Sequence, residues 1–388
     1  MTILVVLPAA AVAVSLFYYA AATLVAIRFA ANASAPSPPL PKIPPRVAVL
    51  KPLHGTSNSL AGNIVSFLEV AYPRLDYFFG VHDYEDPAAE VPVALRQRYQ
   101  FANITLVVGE EPGCSNRKIA KLIKMAERAT KADVFVLSDA DVSVDRDYLR
   151  RIVGELIADD KAGIVTCAYR ARPGGTLASR LEALYVNTDF LPQVLLAEML
   201  EPTHYALGAT IAIKRAALEA IGGFSAVKNL LADDFYLGNL VMAKGYGIKL
   251  STTLVTLTCE EQRLSDFWHH QLRWARTYRS VRPVSIATIL THGPFWALLL
   301  LAASRGKAPA VAALVLVIAA RLAMSAMIVR RVLKMPELLA DLWIVPIKDL
   351  VMTGVWFASL LSNKVMWAGR KFQLMRGGAM REVKSRAA

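Results

Sequence analysis

The chain has 388 residues, 55% of them hydrophobic, and a mean hydropathy of +0.39, which is too apolar for an ordinary soluble protein and predicts membrane segments. Its net charge of +13 comes largely from basic residues that flank apolar spans, so it favours an anionic membrane surface over nucleic acid, for which no recognisable module occurs. Three scattered cysteines, Cys114, Cys167 and Cys259, give no disulfide framework and fit a reducing compartment.

The amino-terminal segment, residues 3–27, is almost wholly apolar and long enough to cross a bilayer. A cleaved signal peptide would carry basic residues before its apolar run, but the first basic residue here is Arg28, after the run. The positive-inside rule therefore predicts a retained anchor over residues 1–30, with the chain in the cytoplasm from residue 28 onward. Residues 31–46 are rich in proline and predict a stiff, extended linker.

Residues 47–262 alternate between strand-like and helix-like patterns. The pattern predicts strands over 47–50, 77–81, 104–108, 134–137 and 163–168, and helices over 88–99, 116–131 and 145–158. Such alternation predicts a doubly wound α/β domain with a largely parallel sheet. Farther along, we expect a helix over 176–200, a strand over 205–213, a short helix over 216–221 and a helix opening at Asp233.

The predicted strand 134–137 is followed by two carboxylates, Asp139 and Asp141. Side chains just past the carboxyl end of a buried strand lie where open α/β sheets bind ligands. Two acids at this spacing can converge on one hard cation, although an isolated pair is more often a solvated turn. Further acids favour a ligand site over a solvated turn, because Asp83 follows an earlier predicted strand and Asp233 and Asp234 lie at the start of a predicted helix.

Residues 263–284 contain a basic, aromatic amphipathic helix, predicted over 266–280, of a kind that commonly lies on a membrane interface. A membrane region is predicted over 285–369, with apolar stretches at about 286–303, 308–329 and 338–361.

The third of these apolar stretches contains Pro346, Lys348 and Asp349, and charges inside a membrane are costly. The basic tail, residues 370–388, should be cytoplasmic, whereas one amino-terminal and three later spans would place it outside. We therefore expect 338–361 to be re-entrant or interfacial.

The acidic positions fit the transfer of a sugar from a nucleotide-sugar diphosphate. Asp139 and Asp141 could hold a divalent metal, Mg²⁺ or Mn²⁺, that neutralises charge on the leaving diphosphate. Asp83 could accept hydrogen bonds from the base or ribose. Asp234 is the candidate general base for the acceptor hydroxyl. Asp233 is a candidate for substrate binding, although capping of the helix is the simpler role for it.

Basic and aromatic side chains extend this set. Arg273 can pair with a phosphate through two hydrogen bonds, and Trp274 can pack against the acceptor or close the site. Lys51 and Lys118 are candidates for diphosphate or nucleotide contacts, although a single lysine is more often a solvated surface charge. One general base with direct displacement predicts inversion at the sugar.

The ordered set resembles glycosyltransferases of family 2 or 21 with a GT-A domain, specifically the ceramide glucosyltransferase group. That pattern is a D, a DxD-like site, a D and (Q/R)xxRW. The matching residues are Asp83 in VHDYEDP, Asp139-Ala140-Asp141, Asp234 in LADDF and His270-Gln271-Leu272-Arg273-Trp274, with Lys51-Pro52-Leu53 and Asn116-Arg117-Lys118 as additional matches. The resemblance covers nearly the whole chain. The sequence departs from the family pattern at the first position of (Q/R)xxRW, where it has His270 in place of Gln or Arg, and a glutamine, Gln271, follows one residue later. Both residues are substrate-binding candidates.

The segments TCAYRARP, ATIAIKR, LADDFYLG and HQLRWART are most similar to bacterial hopanoid-biosynthesis glycosyltransferases within this group. The resemblance implies UDP-N-acetylglucosamine as the UDP-sugar donor and bacteriohopanetetrol as the membrane-lipid acceptor. It also implies a multi-pass protein of the bacterial inner membrane with its catalytic domain in the cytoplasm. Ceramide or diacylglycerol with UDP-glucose is the alternative. A processive polysaccharide synthase, which needs more membrane helices, a non-catalytic nucleotide-binding scaffold and a nucleic-acid-binding protein are less favoured.

Overall fold

An eight-stranded sheet lies at the centre of the computed structural model, which describes residues 3–367, 369–375 and 377–383. Its strands are β1 (Val47–Pro52), β2 (Leu75–Val81), β3 (Asn103–Val108), β4 (Val134–Ser138), β5 (Val142–Ser143), β6 (Ala162–Pro173), β7 (Thr210–Lys214) and β8 (Gly247–Cys259). Across the sheet their order is β3-β2-β1-β4-β7-β6-β8-β5.

The sheet is parallel in one half and mixed in the other. Strands β3, β2, β1 and β4 pair in parallel, as the alternation with helices predicted. Beyond them, β7 runs antiparallel to both β4 and β6, and β5 runs antiparallel to β8. The expectation of a largely parallel sheet is therefore corrected in this half, because apolar periodicity predicts a buried strand but not its direction. We did not predict β8, although its Thr-, Val- and Leu-rich sequence suits a strand.

Helices cover both faces of the sheet, because successive side chains of a strand point to opposite faces. In β1, Val47 and Val49 belong to one apolar core, and Ala48 and Leu50 to the other. The helices up to the end of the sheet are α1 (Ile3–Asn32), α2 (Leu60–Leu68), α3 (Glu90–Arg98), α4 (Arg117–Arg128), α5 (Tyr148–Ile157), α6 (Leu177–Tyr185), α7 (Leu191–Leu200), α8 (Arg215–Ala220) and α9 (Asp233–Ala243).

Two predicted elements are interrupted. The helix predicted over 176–200 is divided by a π-helical segment, Val186–Phe190, between α6 and α7. The strand predicted over 205–213 begins only at Thr210, because residues 205–209 form a loop that lines a cavity.

The chain after α10 (Leu264–Val281) contains the remaining α-helices of the described residues: α11 (Gly293–Ala303), α12 (Ala308–Met327) and α13 (Val345–Leu360). In the described residues, two helices are long and apolar enough to cross a membrane, namely α1 and the helix Ala308–Leu333, which is α12 with its π-helical extension. A bent pair, the 3-10 segment Pro283–Thr291 and α11 at 63°, gives a third if it counts as one span.

The amino-terminal helix packs directly against the carboxy-terminal ones. Tyr19 of α1 donates a hydrogen bond to the Thr291 carbonyl at 3.0 Å and accepts one from the Gly293 amide at 3.1 Å. A Cβ atom at position 293 would lie 2.6 Å from the Tyr19 hydroxyl, so this crossing requires glycine. α1 also contacts α7 of the sheet domain, and this candidate membrane helix and the sheet domain therefore share a packed boundary.

The chain ends in a small antiparallel sheet of β9 (Lys364–Trp367), β10 (Arg370–Leu374) and β11 (Met380–Glu382). Its apolar side chains pack with Leu231, whose amide donates to the Gly378 carbonyl at 3.2 Å. The segment predicted as a basic tail therefore contains strands docked on the loop before α9, and residues 376 and 384–388 of that prediction lie outside the described residues.

Candidate functional site

A cavity of about 1150 Å³ opens beside the carboxyl ends of β1 and β4. These strands are parallel neighbours, so their carboxyl ends meet at one edge of the sheet, where α/β folds bind ligands. Predicted site residues from four separate parts of the chain line it: Lys118, Asp139, Asp141, Asp233, Asp234, His270, Arg273 and Trp274.

Lys118, near the start of α4, joins the two groups of acids. Its Nζ lies 2.6 Å from Asp139 Oδ1 and 3.9 Å from Asp233 Oδ2, and it donates a hydrogen bond to the Gly208 carbonyl at 3.3 Å. Burial acts to lower the pKa of Lys118, but Asp139 and Asp233 outweigh it and hold the pKa above its usual value. Lys118 is thus a charged link within the site and not a solvated surface lysine.

Asn116 fixes the start of α4 against the acidic loop. Its side-chain oxygen accepts a hydrogen bond from the Ile119 amide at 3.1 Å, which caps the helix. Its Nδ2 donates to Asp233 Oδ1 at 3.1 Å and to the Leu230 carbonyl at 2.9 Å. The Asn116 side chain therefore both caps α4 and positions the carboxylate of Asp233.

Asp234 opens α9 beside the loop that carries Gly208. Its Oδ1 accepts a hydrogen bond from the Phe235 amide at 2.8 Å. A Cβ atom at Gly208 would lie 2.9 Å from Asp234 Oδ2, so a larger residue would push on the carboxylate. Burial and the neighbouring Asp233 raise the pKa of Asp234 to about 6. This value suits a group that must accept a proton near neutral pH.

Asp139 and Asp141 provide the acceptors that a divalent cation would need. Asp141 Oδ1 is buried and has no hydrogen-bond partner among the described residues. Burial, and to a smaller extent the charge of Asp139, raises the pKa of Asp141 to about 7. The described part of the chain contains no group of three or more metal-binding side chains. Two carboxylates nevertheless fit a metal such as Mg²⁺, which is usually held by one or two carboxylates together with substrate phosphates.

Lys51 lies beneath this pair and not in the cavity. It is fully buried, and its Nζ donates to the carbonyls of Asp139 at 2.6 Å and Val142 at 3.2 Å. Burial lowers its pKa to about 7, with Asp141 and Asp139 opposing the shift. The expected diphosphate contact does not match this placement, because all six residues of β1 are buried and the lysine ends under the loop.

Two other predicted residues also lie outside the cavity lining. Asp83 follows β2 at the same edge of the sheet and is half-exposed, with His82 Nε2 3.7 Å away. Gln271 is buried, and neither atom of its amide has a partner in the described chain. The neighbouring His270 is the one that lines the cavity.

The helix α10 supplies the wall opposite the acids. His270 Nδ1 lies 2.5 Å from Glu182 Oε1, and Glu182 also accepts a hydrogen bond from Gln262. The Trp274 ring packs against His270, with centroids 4.9 Å apart, and against the rings of Tyr185, at the end of α6, and Phe190, in the π-helical segment. Arg273 is also in the lining, and burial lowers its pKa from the usual value.

Sequence reasoning missed Glu182, Tyr185 and Phe190, which all line the cavity. The available signal was an acid on an apolar helix face, since Ala178, Glu182 and Tyr185 lie one turn apart. An acid on such a face requires a partner, and here the partner is His270.

The cavity continues from the acids toward the candidate membrane helices. Its far walls are mostly apolar and come from α1, α7 and the 3-10 segment: Tyr18, Val194, Leu200, Val284 and Ala287. One continuous cavity therefore has a charged end at the sheet and an apolar end beside the candidate membrane helices.

The family model described as "Glycosyl transferase family 21" matches residues 7–380. Ceramide glucosyltransferase 3 of Caenorhabditis elegans is 24% identical over 239 residues, which cover 62% of this chain and 52% of that protein. Ceramide glucosyltransferase 1 of the same organism is 22% identical over 239 residues, covering 62% and 51%. The chain thus spans about half the length of the curated relatives it matches.

A solved mannosyltransferase of Pyrobaculum calidifontis, in complex with GDP-Man and Mn²⁺, superposes with a TM-score of 0.53 at 21% identity. The alignment covers 84% of this chain and 98% of that one. The two proteins share a fold.

Proposed function

Because the chain belongs to glycosyltransferase family 21, we propose that it transfers one sugar from a UDP-sugar to the hydroxyl of a membrane lipid. The observation that carries the proposal is the single cavity that joins the acidic cluster to the apolar walls. A nucleotide sugar and a lipid are chemically opposite, and a site that brings them together needs both kinds of wall.

The charged end suits the donor. Asp139 and Asp141 would hold a divalent metal such as Mg²⁺ or Mn²⁺, which supplies stabilisation of the charge on the leaving diphosphate. Lys118 and Arg273 line the same end and add positive charge for the phosphates. Asp83, at the same edge of the sheet, is proposed to contact the nucleoside.

Asp234 is proposed as the general base. Its raised pKa lets it take the proton of the acceptor hydroxyl as the oxygen attacks the anomeric carbon. The attack and the departure of the diphosphate occur on opposite faces of the sugar, so the configuration inverts. Trp274 and His270, on the facing helix, are proposed to contact the acceptor or the transferred sugar.

The apolar end suits a lipid. Its walls come from α1, α7 and the 3-10 segment of the bent pair, so an acyl or polycyclic chain can extend toward the bilayer while its hydroxyl reaches the acids.

For the specific substrates we propose UDP-N-acetylglucosamine and bacteriohopanetetrol, with UDP-glucose and ceramide or diacylglycerol as the alternative. The first pair rests on the four similar segments described above. The second is supported by the ceramide glucosyltransferases among the relatives. We further propose a multi-pass location in a bacterial inner membrane, the site facing the cytoplasm, with α1 as anchor.

The test is a direct assay with the full chain in lipid nanodiscs. Each UDP-sugar is offered with each of the three lipids, and products are identified by mass spectrometry. Addition of one sugar to one lipid is expected, with Asp234→Asn as the inactive control. UDP binding without transfer to any lipid would favour a non-catalytic nucleotide-binding scaffold, and polymeric sugar would favour a processive synthase.

A further inference from the structure

Four charged side chains are buried where the sheet domain meets helices α12 and α13. Asp189 comes from the π-helical segment Val186–Phe190, Arg321 from α12, and Lys348 and Asp349 from α13. Their exposed fractions are 7%, 1%, 0% and 2%. Two positive and two negative charges balance, which is the condition for burying charge in an apolar region. We call these four residues the buried charge cluster.

Each acid of the cluster contacts both cations. Arg321 forms two hydrogen bonds to Asp349, from Nε at 2.9 Å and Nη2 at 3.0 Å, and its Nη2 lies 2.8 Å from Asp189 Oδ1. Lys348 Nζ lies 2.7 Å from Asp349 Oδ1 and also contacts Asp189. The Arg321 Nη1 donates to the Thr188 carbonyl at 2.8 Å. The three helical segments are thus tied into one closed network.

The network ends on the wall of the cavity. Thr188 and Asp189 lie in the π-helical segment, and the residues that flank them, Tyr185 and Phe190, line the cavity. Both rings pack against Trp274, with centroids 6.1 and 6.2 Å apart. Single π-helical turns are rare and frequently occur at functional sites. The cluster therefore contacts the π-helical segment whose Phe190 ring, together with Tyr185 at the end of α6, lines the cavity.

We propose that the buried charge cluster positions the cavity wall formed by Tyr185, Phe190 and Trp274, which we call the acceptor-facing wall. Through this cluster, helices α12 and α13 would determine how the lipid binds. None of its four side chains lines that cavity, so these are positioning residues and not catalytic ones. The donor end is held separately, by Lys118, Asn116 and Lys51, none of which contacts the cluster. Loss of the cluster should therefore weaken binding of the lipid acceptor far more than binding of the nucleotide-sugar donor. This inference rests on the proposed lipid transfer.

The decisive variant removes one cation and one anion together. Arg321→Met with Asp349→Leu leaves Lys348 paired with Asp189 and keeps the region neutral, and apolar replacement of a buried pair is commonly tolerated. Arg321→Met alone would leave two buried carboxylates that share one cation, Lys348, and therefore an uncompensated negative charge, so it is not the main test. Arg330→Met is the matched control, because Arg330 lies on the extension of the same helix and is exposed.

The measurements are the KM for the lipid and for the UDP-sugar, and the affinity for UDP with Mn²⁺. The lipid is bacteriohopanetetrol, ceramide or diacylglycerol, whichever the wild-type protein glycosylates. In the double variant we expect the lipid KM to rise about tenfold, since small displacements of binding groups have effects of this size or larger. UDP affinity should stay within about twofold, as for a distant site. An unchanged lipid KM in the folded variant would overturn the inference.

Two further results keep the test decisive. If the double variant does not fold, Arg321→Lys replaces it, because lysine keeps the charge but cannot form the paired bonds to Asp349 and Thr188; the same selective rise in lipid KM is expected. If the wild-type protein transfers no sugar, the proposed function fails, and hydrogen exchange decides this inference. Residues 182–195 and 264–281 should then lose protection in the variant while β1 to β4 do not. Equal protection would contradict it.

Discussion

Glu182 and His270 form a close pair, with Oε1 of the glutamate 2.5 Å from Nδ1 of the histidine. Burial acts to raise the pKa of Glu182, but the hydrogen bonds from His270 and Gln262 outweigh it and the pKa lies below its usual value. A carboxylate held in this way orients the imidazole and leaves Nε2 as the nitrogen available to a ligand. The position at which the family pattern has Gln or Arg thus carries an oriented histidine.

Replacing the carboxylate should release this histidine. In Glu182→Ala we expect kcat/KM to fall about 10- to 100-fold, as expected for loss of a charged hydrogen bond worth about 1.5–3 kcal/mol. Steady-state kinetics with both substrates provide the measurement. Glu201→Ala, which removes an exposed acid at the end of α7, is the control. His270→Gln should retain more activity than His270→Ala, since glutamine can still donate a hydrogen bond. Wild-type kinetics in Glu182→Ala would show that the pair is only structural.

Asp234→Asn should abolish proton removal and leave donor binding intact. We expect kcat to fall by about 10²–10⁴-fold, the usual contribution of a general base. UDP affinity with Mn²⁺, measured by calorimetry, should be nearly unchanged. Asp233→Asn is the informative comparison, because an asparagine oxygen can still accept the bond from Asn116 and should preserve much of the rate. Full activity in Asp234→Asn would remove this residue from the mechanism.

The raised pKa of Asp234 predicts the acid limb of the pH profile. A general base works when deprotonated, so activity should rise with pH through about 6 and be lost below it. The profile of kcat/KM is measured at saturating Mn²⁺, which keeps Asp141 ionised. UDP affinity over the same pH range separates donor binding from proton transfer. A rate that stays constant as the pH falls through this value would rule out Asp234 as the titrating base.

Asp141→Asn should remove the effect of metal on nucleotide binding. The variant keeps the size of the side chain but loses the charge that a divalent cation needs. In the wild type, Mn²⁺ is expected to increase UDP affinity by about tenfold or more, and in the variant this increase should disappear. Calorimetric titration of UDP with and without Mn²⁺ measures both. The same enhancement in both proteins would place the metal elsewhere.

Lys51→Met tests whether a residue outside the cavity controls the metal pair. The loop carbonyls of Asp139 and Val142 would lose their donor, so the two carboxylates would be held less firmly. We expect the Mn²⁺-dependent affinity for UDP to fall about tenfold, as for groups that orient metal ligands. Lys42→Met, at an exposed lysine of the linker, is the control. Unchanged affinity would show that the loop holds its shape without this lysine.

Local patterns in the sequence were sufficient to predict the parallel half of the sheet and the strand end beside which the cavity lies. The apolar run of β4 followed by Asp139 and Asp141 predicted a ligand site at a strand end, and the cavity lies there. Strand periodicity and turn chemistry act over a few residues, so they can be recognised in the chain itself.

Contacts between distant segments decided the rest. The sequence does not show that Lys51 is buried under a loop, that Glu182 meets His270, or that β7 runs antiparallel to β4. Lys348 and Asp349 predicted a non-spanning stretch because charge in a membrane is costly. Only the tertiary structure shows that Asp189 and Arg321, which are distant in sequence, lie beside Lys348 and Asp349. Their opposite charges make the burial of Lys348 and Asp349 possible.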